Sequence, residues 1–431
     1  MSMNSKKIDL NRPCLAINGG DPVRKKPWID NFTLGEAEKS AALEAIESGY
    51  LSKFEGSFTP DPPFSFLGGP YVQGLEKSWC DFYGVEHAVS MNSATSGIYA
   101  AWGALGLGYG DEVIVPAITM TACASGVLMY GAIPVFADVD KNTGCIDPDA
   151  IEKLISKKTK AILVVHLYGY LADMDRICAI CEKHNIALIE DCAQSHIAKY
   201  NGRYAGTFGD IGIFSLNVNK TIQVGEGGVC VTSDSDIAYR LQLIRNHGEA
   251  VVGPAQYDNI TNILGFNYRL SEIQASMAIC QLEKVKDLTS VRLEMVEYLN
   301  EHLSKFKCLD IFVPPKDQVC TYYQYKILLD EKRAGVTCAE LIRALNKEGL
   351  YFFGGYTPLY MQPLYQQRKL FKHGYPWSAP ENEGSFTSYK HGSCPVAEEL
   401  MNCTITSEHI RPPNTMEDMK DIVSIFQKVI G

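Results

Sequence analysis

Three short stretches carry residue types that could do chemistry together. Residues 211–233, IGIFSLNVNKTIQVGEGGVCVTS, set Lys220 between an apolar run and a glycine-rich turn at 225–228. A lysine so placed is either a solvated loop residue or an amine held against a core, where it could form an imine with an aldehyde. The second role needs an amine stripped of its proton, because an ordinary lysine, with a pKa of ~10.4, is mostly charged. Ser215 ends the preceding apolar run and offers a hydroxyl. The second stretch is EDCAQSH, residues 190–196. There Asp191 could hold a protonated ring nitrogen or cap the following turn, and Gln194 and His196 could bond a ligand oxygen. Taken alone, a histidine such as His196 is more often a hydrogen-bonded core or surface residue. The third stretch, NSATSG at 92–97, opens a helical pattern with small hydroxyl residues and free amides. That suits a phosphate, or a plain helix cap. The 225–228 turn is not a P-loop, since Lys220 precedes its glycines.

Each stretch lies at the end of an apolar run. Runs at 88–91, 112–116, 134–137, 161–166, 187–190, 211–216 and 229–232 read as strands, and helical patterns at 95–107, 121–130, 147–155 and 173–184 separate the earlier ones. This alternation predicts a mostly parallel sheet wrapped by helices, with ligands beyond the carboxyl ends of its strands. A phosphate cradle, a ring-nitrogen carboxylate and an imine-forming lysine at three strand ends match what pyridoxal 5′-phosphate requires.

Further helices are expected at 34–49, with its cap near Thr33 and Gly49 as the stop, at 72–83, and along 271–301 as a bridge to a smaller C-terminal unit. That unit would hold a strand near 322–329 and helices at 338–348 and 416–430. The resulting division is an N-terminal segment 1–70, a large domain 71–290 and a small α+β domain 291–431. Residues 54–70 and 354–396, rich in proline, glycine and aromatics, read as long loops.

The 431 residues are 46% hydrophobic and 21% charged, a globular composition. A net charge of −10 without a basic block argues against a nucleic-acid partner. No stretch is long and apolar enough for a membrane span, and the first twenty residues lack a signal-peptide core, which predicts a cytoplasmic protein. Fourteen cysteines without a disulfide-like framework fit reduced thiols, and the Cys178–Cys181 pair reads as helix packing, with no metal site expected.

From about Gly68 onward the chain resembles the DegT/DnrJ/EryC1/StrS family of PLP-dependent aminotransferases acting on keto-sugars and cyclitols. The resemblance rests on GGPYVQGLEKSWCDFYGVEHAV, NSATSGIYAAWGALGLGYGDEVIVPAIT, GAIPVFADVD, VVHLYGYLADMD, ALIEDCAQSH, FSLNVNKTIQVGEGG, IRNHGE and GFNYRLSEIQAS. It implies the aspartate-aminotransferase-like α/β fold. It also implies Lys220 as covalent anchor of the cofactor, Asp191 on the ring nitrogen and Gln194 near the ring's phenolic oxygen. Ala94, Thr95 and Ser215 would bind the phosphate. Asn267 would reach the phosphate bound by a neighbouring subunit, so the resemblance implies a homodimer with shared sites. His196, Tyr168, His247, Tyr356 and Tyr360 fall in blocks bordering the substrate. Two positions depart from the family pattern: Met120 stands where an aromatic commonly stacks on the ring, and Ile197 stands where glycine commonly follows the histidine. A thioether can still pack on a ring face.

LAINGGDPVRKKPW, PLYMQPLY and SCPVAEEL resemble the branch of glutamine:scyllo-inosose aminotransferases and aminohydroxybenzoate synthases. The implied reaction is ping-pong transfer from glutamine or glutamate to a ketone of a sugar, often nucleotide-linked, or of a cyclitol. The alternatives are another PLP reaction on the same scaffold (decarboxylation, elimination or dehydration) and a non-catalytic regulatory homologue. Lys220 argues against the family's dehydratases, which carry histidine there.

Overall fold

The seven apolar runs assemble into one sheet. In a computed structural model describing residues 7–57, 63–385 and 388–431, its strands lie in the order His87–Met91, Gly228–Thr232, Ile211–Ser215, Ala187–Asp191, Thr159–Val165, Glu112–Pro116, Ile133–Ala137. From Ile211–Ser215 to the Ile133–Ala137 edge all pairings are parallel, and Gly228–Thr232 alone runs against its neighbours. Four of the strands are buried at every position, as expected where helices cover both faces of a sheet. The expected strand 161–166 begins two residues earlier and releases His166 into the following turn.

Caps mark the helices that sequence patterning predicted. Asp173 accepts from the Arg176 amide to start Met174–His184, and Ser271 forms a capping box with Gln274 at the head of Glu272–Leu303. One boundary differs. The helix expected from 34 runs Glu36–Glu47, with Gly35 as cap and the Glu38 carboxylate accepting from its amide at 2.7 Å. The Thr33 hydroxyl instead donates to Gln281 Oε1 at 2.8 Å, so tertiary packing took the group that local spacing assigned to the cap.

The long helix Glu272–Leu303 lies against Glu36–Glu47, Pro70–Tyr83 and Met416–Ile430. Its Glu272 carboxylate accepts from the Gly69 and Tyr71 amides at 2.9 Å each, an anion at the positive end of Pro70–Tyr83. A second, antiparallel sheet orders Leu309–Asp310, Tyr325–Leu329, Thr404–Ser407 and Phe353–Gly354. The strand expected at 322–329 starts three residues later, because Tyr322 adopts φ 48°. Residues 58–62 and 386–387 of the two expected loops lie outside the described residues. Among the described residues no helix is long and apolar enough to cross a membrane.

Candidate active site

The carboxyl edge of the sheet gathers all three stretches. Met91 and Ser215 both pair with Gly228, so the start of the helix Ala94–Ala104 and the Ser215 hydroxyl flank one glycine. A Cβ at Gly228 would lie 2.6 Å from the Ala94 amide nitrogen. Only a residue without a side chain permits that approach. Ser93 caps the helix by accepting from the Ser96 amide at 3.0 Å, and the Ser96 hydroxyl donates to Asn92 Oδ1 at 2.6 Å. Ala94 and Thr95 belong to the first turn, where amides have no intrahelical acceptor.

Asp191 ends its strand buried, 4% exposed. Its Oδ1 accepts from the Ala193 amide at 2.9 Å and its Oδ2 from the Cys123 thiol at 3.3 Å. Burial pushes its pKa up, while the Ala193 amide, the Cys123 thiol and the charge of Lys220 pull it down. Burial, then the Asp191 carboxylate, raise the Cys123 thiol well above its ordinary range, which keeps it a proton donor.

Lys220 lies half-buried in the loop between Ile211–Ser215 and Gly228–Thr232, its Nζ 4.5 Å from the centroid of the Tyr323 ring. Burial lowers its pKa, Asp191 and Glu408 oppose that, and Arg411 adds to it. The loop is fastened residue by residue. Asn31 Nδ2 donates to the carbonyls of Val218 and Lys220 at 2.7 and 2.8 Å. Arg411 Nη1 donates to the Asn219 carbonyl at 2.8 Å, and Arg292 Nη1 to the Thr221 hydroxyl at 2.9 Å. Both arginines are buried.

The other predicted residues divide. Gln194 joins Tyr168 and Tyr356: its Oε1 accepts from the Tyr168 amide at 2.6 Å and its Nε2 donates to Tyr356 Oη at 3.2 Å, with the two tyrosine rings 5.6 Å apart. Tyr168 holds φ 59° to present that amide. His196 is enclosed against Phe214, 5.8 Å between ring centroids. Neither of its ring nitrogens meets hydrogen-bonding geometry, although the Ser215 backbone is close, and burial, then the Lys220 charge, lowers its pKa to about 3. Met120 occupies the loop before the helix Ala122–Met129, half exposed, its sulfur accepting from the Ala122 amide at 3.1 Å. Asn267 is exposed, and its Oδ1 accepts from Arg269 Nε at 2.8 Å. His247, also half exposed at φ 54°, sits beside Gly56 of the first loop. Tyr360 is buried elsewhere: its hydroxyl donates to Glu398 and its ring meets Phe136 at 5.8 Å, without a hydrogen bond to the Lys220–Asp191 group.

Sequence reasoning missed Asn31, Cys123, Arg292, Tyr323, Glu408 and Arg411, which arrive from distant parts of the chain and share no local motif. One signal existed. Arg292 falls on the buried stripe of its helix with Val285, Thr289, Val296 and Leu299, an arginine where the 3.6-residue period demands an apolar side chain.

The profile of the DegT/DnrJ/EryC1/StrS aminotransferase family matches residues 64–427. The chain is 34% identical over 436 aligned residues, 97% of its length and 98% of the relative's, to the L-glutamine:2-deoxy-scyllo-inosose aminotransferase of Micromonospora echinospora. It is 32% identical to the spore coat polysaccharide biosynthesis protein SpsC of Bacillus subtilis, covering 92% of this chain and 95% of that one. Among solved structures, an aminotransferase from Psychrobacter cryohalolentis superposes with a TM-score of 0.80 at 27% identity, over 94% of this chain and 98% of that one.

Proposed function

The chain belongs to the DegT/DnrJ/EryC1/StrS aminotransferase family and is a transaminase of the kind that aminates sugar or cyclitol ketones, and we propose glutamine as its amino donor, a cyclitol ketone as its acceptor and pyridoxal 5′-phosphate as its cofactor. The donor and acceptor follow the glutamine:scyllo-inosose relatives, matched over nearly the whole chain. The observation that carries the reading is the convergence of Lys220, Asp191, Ser215 and the Ala94 helix start on one sheet edge.

The residues fit the cofactor. Asp191 is a buried carboxylate with one amide and one thiol as donors, and a carboxylate raised by desolvation gains from a cation set against it. The Gly228 approach brings helix amides beside the Ser215 hydroxyl, a donor set suited to a phosphate. When bound, the cofactor supplies a ring that takes up the electrons left as the donor loses its α-proton. Lys220 would hold that group covalently and, when free, would take the proton from the donor's α-carbon. Asp191 would keep a proton on the ring nitrogen. Ala94, Thr95 and Ser215 would bind the phosphate, Met120 would offer its thioether to the ring, and Gln194, steadied by Tyr168 and Tyr356, would bond the phenolic oxygen. His247 and Tyr356 border the substrate. Asn267, exposed on one chain, would reach the phosphate bound by a second copy in a cytoplasmic homodimer.

Glutamine added to the full-length protein should release its oxo acid, and a panel of cyclitol and sugar ketones should then accept the amino group. Lys220→Ala should cut turnover by at least about a thousandfold. Undiminished turnover in that variant sinks the assignment. Release of CO₂ or water, with no oxo acid from glutamine, transfers the site to another reaction.

A further inference from the structure

The two oxygens of Asp191 are held by donors of different origin. The Ala193 amide, two residues on, bonds Oδ1 at 2.9 Å through a local turn. The Cys123 thiol bonds Oδ2 at 3.3 Å from a separate helix, 68 positions away in the chain. A carboxylate anchored at one oxygen can still turn about its last side-chain bond, a broad and roughly two-fold torsion. A second donor, fixed to another element, removes that freedom.

Cys123 is itself fixed. It lies in the first turn of Ala122–Met129, fully buried, and its amide donates to the Met120 carbonyl at 3.2 Å. The Thr119 hydroxyl, also buried, lies 3.6 Å from the Cys123 sulfur. Because the S–H is directed at Asp191, the hydroxyl donates to the sulfur and the sulfur to the carboxylate. One turn of chain, residues 119–123, therefore carries both the thioether set for the ring face and the thiol that grips the ring-nitrogen carboxylate.

The choice of donor suits the task. A carboxylate oxygen pair accepts about four hydrogen bonds, and strong donors to its charged form lower its basicity. A thiol is a weak donor, so it orients Asp191 while leaving the charge available to a cation. Two acceptor positions remain open beyond the amide and the thiol.

We propose that Cys123 is a positioning residue: its thiol, backed by Thr119, fixes the Asp191 carboxylate in the orientation that meets the pyridine nitrogen of the cofactor. This rests on the cofactor reading above.

The test is equilibrium dialysis of the full-length protein, freed of bound cofactor, against pyridoxal 5′-phosphate and against its 1-deaza analogue, in which a C–H replaces the ring nitrogen. The ratio of the two affinities isolates the bond to Asp191, since a general loosening of the site weakens both compounds alike. Wild type should prefer pyridoxal 5′-phosphate by about tenfold or more, and Asp191→Asn sets the floor of that preference. Cys123→Ala should cut the preference by about fivefold, and Cys123→Ser, which restores a donor, should recover most of it. A wild-type ratio in Cys123→Ala overturns the proposal, and so does a serine variant no better than alanine. If Cys123→Ala does not fold, Cys123→Val, which refills the space without a donor, decides by the same ratio. A wild-type chain that holds both compounds equally well takes the ring-nitrogen role from Asp191, and the proposal falls with it. A wild-type preference that survives unchanged in the alanine variant removes Cys123 alone.

Discussion

Glu190 and Asp191 are neighbours on one strand, both buried, and their surroundings could hardly differ more. Glu190 accepts from the Phe208 and Gly209 amides at 2.6 and 2.8 Å, from the Gly206 amide at 2.8 Å and from His166 Nε2 at 3.1 Å. His166 Nδ1 accepts from the Ala172 amide, so Nε2 carries the proton and donates. His166 and Glu190 lie with Cys192 in a cluster that could be mistaken for a metal site, but their hydrogen bonds are already spent on holding the fold. Asp191, facing the other side of the sheet, has one amide and one weak thiol donor. Strand alternation sends adjacent side chains to opposite faces, and here it separates a carboxylate that locks a turn from one left with capacity for a ligand. An unfilled acceptor beside a lysine is what marks the chemical face.

Paired substitutions break this contrast most sharply. Asp191→Asn should lower turnover by about a hundredfold or more while leaving the urea midpoint near wild type. Glu190→Gln, which turns an amide N–H toward N–H donors, should cost about 3 kcal/mol in the same unfolding titration. Equal stability losses in the two variants would erase the distinction. A smaller effect is expected at the phosphate end. Gly228→Ala pushes a Cβ into the Ala94 amide, and about 1–3 kcal/mol of strain there should weaken cofactor binding by tenfold or more in equilibrium dialysis. Unchanged affinity would detach Gly228 from the cradle. The smallest effect lies in the turn after Asp191. Ile197, where the family pattern has glycine, sits at φ 58°, a costly angle for a β-branched residue. Ile197→Gly should therefore be more stable than Ile197→Ala by about 1 kcal/mol, measured by thermal unfolding. An alanine variant that matches or exceeds the glycine one would mean that the turn carries no strain.

Periodicity made the sheet legible, because strands buried on both faces must be continuous apolar runs. Lys220, Asp191 and Ser215 stood out as polar residues at the ends of such runs. Tyr360 was placed near the substrate by the family resemblance alone, and its hydroxyl donates to Glu398. Thr33 looked like a cap, yet it serves Gln281. In both, the partner is remote in sequence and no local pattern announces it.

What the amino-acid sequence determined by itself was which residues end the strands, and so which amine, carboxylate and hydroxyl share one edge, because those positions follow from short-range alternation. The environment of the amine was decided only by the tertiary structure. Asn31, Arg292 and Arg411 come from the N-terminal segment, the long helix and the C-terminal region to fasten the loop at residues 218–221. The pKa of Lys220 depends on burial and on charges brought close by folding, and through-space electrostatics has no local signature along the chain.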